Sequence, residues 1–184
     1  MFEGEKVRLR SLELSDLDKI MEVWNNLTLR KYLSTPIPFA RDEEEQWIRN
    51  TWDERRRGIG YQFAVEDKKT NEFIGGGGLF GINNFVRSAE LGIAIYEEKN
   101  WGKGYGTDIM RVLLNFGFNY LNLNRIQLRV VDFNVRGIKT YEKVGFKKVG
   151  QYRQTHYWEG KYYDHVLMDI LKEEWVKNNK KEEK

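Results

Sequence analysis

The chain has 184 residues, of which 40% are hydrophobic and 14% aromatic, enough for one domain-sized core and too apolar for a disordered chain. The net charge of +3 is too even to argue for a nucleic-acid binder, and the absence of cysteine excludes disulfides, thiolate metal sites and a cysteine nucleophile. No apolar run approaches the ~20 residues of a membrane span. Met1-Phe2-Glu3-Gly4-Glu5-Lys6 lacks the basic-then-apolar order of a signal peptide. The expectation is a cytoplasmic domain that binds neither nucleic acid nor membrane.

Val7-Arg8-Leu9-Arg10 alternates and predicts a first strand. Ser15-x-x-Asp18 reads as a capping box before a helix with Leu17, Ile20, Met21 and Trp24 on its apolar side. A loop through Pro36 and Pro38 leads to Asp42-x-x-Glu45, which predicts a second helix start, with Trp47, Ile48 and Trp52 inward. From Tyr61 the period changes to two. Tyr61–Val65, Phe73–Ile82 and Ala89–Tyr96 predict an antiparallel meander, with turns at Lys68–Asn71 and Asn83-Asn84. A glycine-bearing loop then enters a helix from Thr107 to about Leu121. Arg125–Val131 predicts a strand, Asn134–Val144 a short helix, and Phe146 onward a long hairpin turning at Glu159-Gly160. Residues 1–171 are expected to form a single mixed α/β domain. Residues 172–184 are expected to be a charged C-terminal tail that begins as a frayed helix.

Two segments carry chemistry. Trp101-Gly102-Lys103-Gly104-Tyr105-Gly106-Thr107 lies between a strand and an amphipathic helix, where glycines let backbone N–H groups approach an anion at a helix N-terminus. It is neither a dinucleotide fingerprint, since Thr107 stands where glycine is needed, nor a Walker A loop, since Gly104 follows Lys103. In Asn134-Val135-Arg136-Gly137-Ile138-Lys139-Thr140-Tyr141, Asn134 is a good N-cap, and Tyr141 returns to its face after two turns. Gly145 fits a left-handed residue after the helix, with Phe146 packing back. Either segment read alone is compatible with an ordinary capped helix. Gly75–Gly78 sits mid-strand and reads as close backbone packing rather than a second phosphate loop. His156 and His165 share the last hairpin without pairing across it, and no carboxylate spacing supports a metal site. Asp42–Glu45 suits a helix start and could also attract a cationic substrate.

Together, Ala-Glu-Leu-Gly-Ile at 89–93, Trp-Gly-Lys-Gly-Tyr-Gly-Thr at 101–107, the Asn134 to Tyr141 spacing and Tyr-Glu-Lys-Val-Gly-Phe at 141–146 resemble the GNAT superfamily of acetyl-coenzyme A-dependent N-acetyltransferases. The subgroups most similar are the ribosomal-protein N-terminal (alanine or serine) acetyltransferases and the spermidine/spermine N-acetyltransferases. The resemblance implies a GNAT fold: a mostly antiparallel twisted sheet, helices on both faces, split where the cofactor enters. It implies an acetyl-CoA cosubstrate without a metal, and a primary amine acceptor, either a protein N-terminus or a polyamine. A homodimer is implied by the resemblance alone. By the same resemblance, the pyrophosphate meets Trp101, Gly102, Lys103, Gly104, Tyr105, Gly106 and Thr107. The pantetheine arm pairs along Ala94, Ile95 and Tyr96, Asn134 holds that arm or the loop, and Tyr141 protonates the leaving thiolate. Trp101 replaces the family's Gln or Arg, and Gly137 its Ala or Ser. Glu90, at the strand start, is the candidate base, acting directly or through water. A non-catalytic coenzyme A-binding sensor is the alternative of a different class.

Overall fold

The computed structural model describes residues 2–33 and 37–182. Seven strands form one sheet in the order β1-β2-β3-β4-β5-β7-β6: β1 (Val7–Ser11), β2 (Tyr61–Asp67), β3 (Phe73–Asn83), β4 (Ser88–Ile95), β5 (Arg125–Val131), β6 (Lys147–Trp158) and β7 (Lys161–Leu171). All neighbours are antiparallel except β4 and β5. The helices are α1 (Leu17–Trp24), α2 (Leu27–Arg30), α3 (Arg41–Arg57), α4 (Tyr105–Asn115), α5 (Val135–Lys143) and α6 (Lys172–Glu182).

The alternation along β1, with Val7 and Leu9 buried between more exposed arginines, is what a strand covered on one face requires. Two apolar layers follow. On one face, α4 packs Ile109, Met110, Leu113 and Leu114 against Leu79, Leu91, Ile126 and Met168. On the other, α1, α2 and α3 bring Leu17, Ile20, Leu29 and Ile48 onto Ala64, Phe73 and Tyr96. Full burial of each such aliphatic side chain contributes ~1.5–3 kcal/mol before ordering costs. The expected meander is β2-β3-β4, and helices lie on both faces as the resemblance implied.

The glycine run lies inside β3 and is buried. A Cβ on Gly75 would stand 2.2 Å from the Ala94 carbonyl oxygen, and one on Gly78 2.4 Å from that of Tyr61. These glycines therefore serve close strand packing and cradle no anion.

Both helix starts differ from expectation. At the first, a 3₁₀ turn (Leu14–Asp16) precedes α1, and the capping side chain is Asp16, which accepts the Glu13 N–H at 3.0 Å. Arg10 grips the same buried carboxylate at 2.7 and 2.8 Å, an attraction that outweighs the local Ser15–Asp18 pattern. At the second, the helix opens at Arg41, because the Ala40 N–H finds the Glu43 carboxylate at 2.7 Å, and Glu44 turns into the protein. The α4 helix begins two residues before Thr107 and passes into a π-helical turn (Phe116–Tyr120), in which Phe116, Gly117 and Phe118 are all buried. Residues 172–182 are helical, and Trp175 is buried beside Phe118. Pro36 and the final two residues of the tail lie outside the described residues.

The last hairpin turns at Glu159-Gly160. Its register steps between Tyr152 and His156, so that Tyr152 faces His165 and His156 faces Tyr163. Three β6 residues therefore oppose the single residue Asp164. Asp164 fastens this bulge by accepting the Gln154 N–H at 2.7 Å and the Gln151 side-chain amide at 3.2 Å.

Candidate active site

Parallel pairing of β4 and β5 covers only Ser88↔Arg125, Ala89↔Ile126 and Glu90↔Gln127; beyond it the strands splay. The Tyr96 N–H donates to the Ile74 carbonyl at 3.0 Å, which fixes the antiparallel alternation between β3 and β4. Ala94 and Tyr96 therefore spend their main-chain groups on β3, and Ile93 and Ile95 turn theirs toward the splay. Of the three β4 positions expected to line the cofactor, Ile95 thus presents its N–H. Ile93, two residues earlier on the same edge, is the one that sequence reading missed. Strand parity was the available signal. Tyr96 instead packs its ring against Trp24 and Phe73, and burial raises its hydroxyl pKa well above the ordinary phenol value.

The splay opens into a cavity of about 890 Å³, within the usual range of small-molecule sites. Glu90, Ala94, Ile95, Trp101, Gly102, Gly104, Tyr105, Gly106, Thr107, Asn134 and Tyr141 all line it; Tyr96 and the Lys103 side chain do not. The loop takes its shape from Gly102 and Gly104 at φ 73° and 87°, a region that L side chains rarely adopt. Gly104 is the N-cap of α4, whose first N–H groups consequently face outward. The loop is anchored from outside: the Lys103 carbonyl accepts from Lys6 Nζ at 2.7 Å, and the Tyr105 hydroxyl bonds Asp67. Behind it, Asp108 accepts the backbone N–H groups of Glu5, Lys6 and Val7 at 3.1, 2.7 and 3.0 Å.

Trp101 donates its indole N–H to the Ile95 carbonyl at 2.8 Å and lies under the Arg136 guanidinium, 3.8 Å from the ring centroid. Arg136, Lys139 and Lys143, all on α5, give this side of the cavity its positive charge. The Asn134 side chain accepts the Gly137 N–H at 3.0 Å, the expected cap. A Cβ on Gly137 would stand 2.6 Å from that side chain, so the glycine keeps the cap tight. Gly145 is left-handed at φ 103°, and Phe146 packs back on Tyr141 at 6.1 Å. The Tyr141 hydroxyl makes no hydrogen bond among the described residues, and burial pushes its pKa up to about 12, so the phenol holds its proton at neutral pH.

At the closed end, Glu90 meets Arg129 at 3.4 Å. Also lining the cavity are Leu29, Tyr32, Thr155, His156 and His165. Neither histidine pairs with the other in register, as the sequence indicated, yet the β6 bulge brings their rings to 5.6 Å. The described residues contain no group of three or more His, Cys, Asp or Glu that could hold a metal ion, and no helix long and apolar enough to cross a membrane.

The cavity suits a long, anionic thioester: strand-edge donors for an extended amide-bearing arm, a helix N-terminus and three cations for phosphates, and a protonated phenol for a leaving sulfur. Comparison with known proteins agrees. Residues 6–147 match the acetyltransferase (GNAT) domain. The chain is 32% identical over 174 residues to the spermidine N(1)-acetyltransferase of Vibrio cholerae, covering 94% of this chain and 97% of the relative. It is 31% identical over 176 residues to the uncharacterized N-acetyltransferase p20 of Bacillus licheniformis, covering 94% and 96%. Among solved structures, the Vibrio cholerae spermidine N-acetyltransferase in complex with CoA and spermine superposes with a TM-score of 0.84 at 30% identity, covering 94% of this chain and 99% of that one. A split mixed sheet, an anion loop at the head of α4 and a matching domain over most of its length make this chain a member of the GNAT family of acetyl-CoA-dependent N-acetyltransferases.

Proposed function

We propose that the chain transfers acetyl from acetyl-CoA to the α-amine of a polypeptide N-terminus, by direct attack in a ternary complex. The carrying observation is the charge of the cavity lining. Its single carboxylate among the described residues, Glu90, is already paired with Arg129, and the other charged lining residues, Arg136, Lys139 and Lys143, are the cations on the phosphate side. Residues 31–40, between α2 and α3, contribute Lys31 and no acid. An α-amine brings one charge and must shed it, whereas spermidine keeps two more that this lining does not offset. Chemistry favours the same acceptor. An α-amine with pKa ~7.8 is far easier to deprotonate near neutrality than a lysine at ~10.4, a difference of ~3.5 kcal/mol.

In this reading the N–H groups of Ile93 and Ile95 hold the extended arm, and the one near the thioester stabilises the developing oxyanion. Gly102 to Thr107 and Arg136 hold the pyrophosphate, Asn134 keeps α5 in place, and Tyr141 protonates the thiolate. Without cysteine, no acyl-cysteine enzyme forms.

The second reading, polyamine acetylation, draws on similarity to the Vibrio cholerae spermidine enzyme. Thiol release from acetyl-CoA against N-terminal Ser, Ala and Met peptides, spermidine and spermine separates the two. Turnover of one peptide class with none of the polyamines is expected; preference for spermidine would overturn the α-amine reading.

A further inference from the structure

His165 and His156 both line the cavity, and the chemistry above gives them no task. Their meeting is built. The β6 bulge moves His156 into the place opposite Tyr163, which puts it on the same sheet face as His165. Phe133 and Tyr163 pack the His156 ring at 5.7 and 6.4 Å. His156 is 4% exposed, and its buried Nε2 has no hydrogen-bond partner.

The tautomer of His165 turns on where a single hydroxyl proton goes. Its Nδ1 lies 2.9 Å from the Thr155 Oγ1, and the same hydroxyl donates to the Tyr152 carbonyl at 3.3 Å. A threonine hydroxyl has one proton to give. Placed on the Tyr152 carbonyl, that proton lets Oγ1 accept from His165 Nδ1–H and leaves the lone pair of the neutral ring on Nε2, the arrangement that a base role requires.

Charges around the ring come from each packed element. His156 on β6 and Arg129 on β5 disfavour its protonation, and Asp132, after β5, favours it; burial is the largest effect, and the net pKa lies below the ordinary histidine value. His165 is thus neutral at pH 7. Glu90 differs in that it already carries the Arg129 guanidinium, 3.4 Å away.

We propose that His165, through Nε2, is the general base that takes the proton from the acceptor amine, with Thr155 fixing its tautomer and His156 acting as a positioning residue behind it. The proposal rests on this cavity being the acetyl-transfer site and assigns the base role to His165 instead of Glu90. The acceptor enters as R–NH3⁺. His165 Nε2 takes one proton, freeing the nitrogen lone pair. The C–N bond forms and the thioester C–S bond breaks. Sulfur leaves with the Tyr141 proton, and the second amine proton returns to the phenolate. The products are the amide, the free thiol of coenzyme A and one proton, which the imidazolium passes to water.

The test compares wild type with His165→Gln, Thr155→Val and Glu90→Gln on acetyl-CoA and whichever of the Ser peptide, Ala peptide or spermidine the wild type turns over. His165→Gln is expected to lose kcat by ~100-fold or more, while the acetyl-CoA KM stays within about twofold. The acidic limb of wild-type kcat, centred below pH 6.5, should flatten in this variant. It should persist in Glu90→Gln. Thr155→Val should lose less kcat than His165→Gln. Nitrogen NMR of the histidines in the intact protein gives a readout independent of turnover: His165 should carry its proton on Nδ1, and Thr155→Val should shift it toward Nε2. A His165→Gln kcat within threefold of wild type, or a neutral His165 protonated on Nε2, would overturn the proposal. If wild type turns over none of these amines, the reading of the acceptor fails, and the NMR result still decides the tautomer on which the base role depends.

Discussion

Arg136 stands over the indole of Trp101, its guanidinium carbon 3.8 Å from the ring centroid. This family places Gln or Arg at the first loop position, and here an aromatic residue in that place is covered by a cation from α5. The charge that the loop does not carry is supplied from the helix across the cavity. Stacking also restricts the Arg136 side chain, so less entropy is lost when it meets a phosphate.

Arg136→Ala should therefore raise the acetyl-CoA KM by about tenfold, equivalent to ~1.4 kcal/mol, with a smaller effect on kcat. The KM of wild type should rise more steeply with salt than that of the variant. Steady-state kinetics at two ionic strengths checks both; equal salt slopes would remove Arg136 from the phosphate contact.

Tyr141→Phe removes a cavity hydroxyl that has no hydrogen-bond partner among the described residues and a pKa raised to about 12. Loss of a general acid should lower kcat by ~10²–10⁴. Acetyl-CoA affinity by calorimetry should stay within about twofold. Undiminished turnover would favour a solvent-derived proton.

Glu44 is buried beside Arg30, and burial raises its pKa from 4.5 to about 7. Between these values the unfolded chain releases a proton that the folded chain keeps, so this group lowers stability as pH rises from 4.5 to 7 and adds no further slope above. Over that window the stability difference should shift in favour of Glu44→Gln by about 3 kcal/mol. Urea denaturation at pH 4.5 and 7.5 measures it. A difference that does not change with pH would show that Glu44 ionises normally.

Asp108→Ala strands three backbone N–H groups, including that of the buried Val7. A cost of ~3 kcal/mol or more is expected, and Asp108→Asn should lose less because one oxygen remains. Chemical denaturation checks the order of the two variants.

The strands and most helices were legible because their apolar periods are strong and their turns carry Asn, Gly or Pro. The loop at 101–107 and the Asn134–Tyr141 face were legible as a pattern, and the structure brings both to one cavity. What escaped depends on partners distant in sequence. Asp16 caps its own helix because Arg10, itself paired with Glu66 on β2, holds it from the sheet. The bulge at 153–155 exists because Asp164, on the opposite strand, satisfies the Gln154 N–H. Without that bulge in view, His156 and His165 read as unrelated residues of one hairpin. Ile93 was missed for a local reason: which residues of a strand face a gap depends on the hydrogen-bonding phase with its other neighbour, and hydrophobicity does not report that phase.

Within the sheet, three rungs of β4–β5 pairing join a four-stranded plate, β1 to β4, to a three-stranded one, β5 to β7. A ligand seated between Ile93–Ile95 and α5 is mortar between those plates, and occupancy at a hundredfold excess over Kd adds about 2.7 kcal/mol to the folded state. The stability of the fold is thereby tied to the supply of its own cosubstrate.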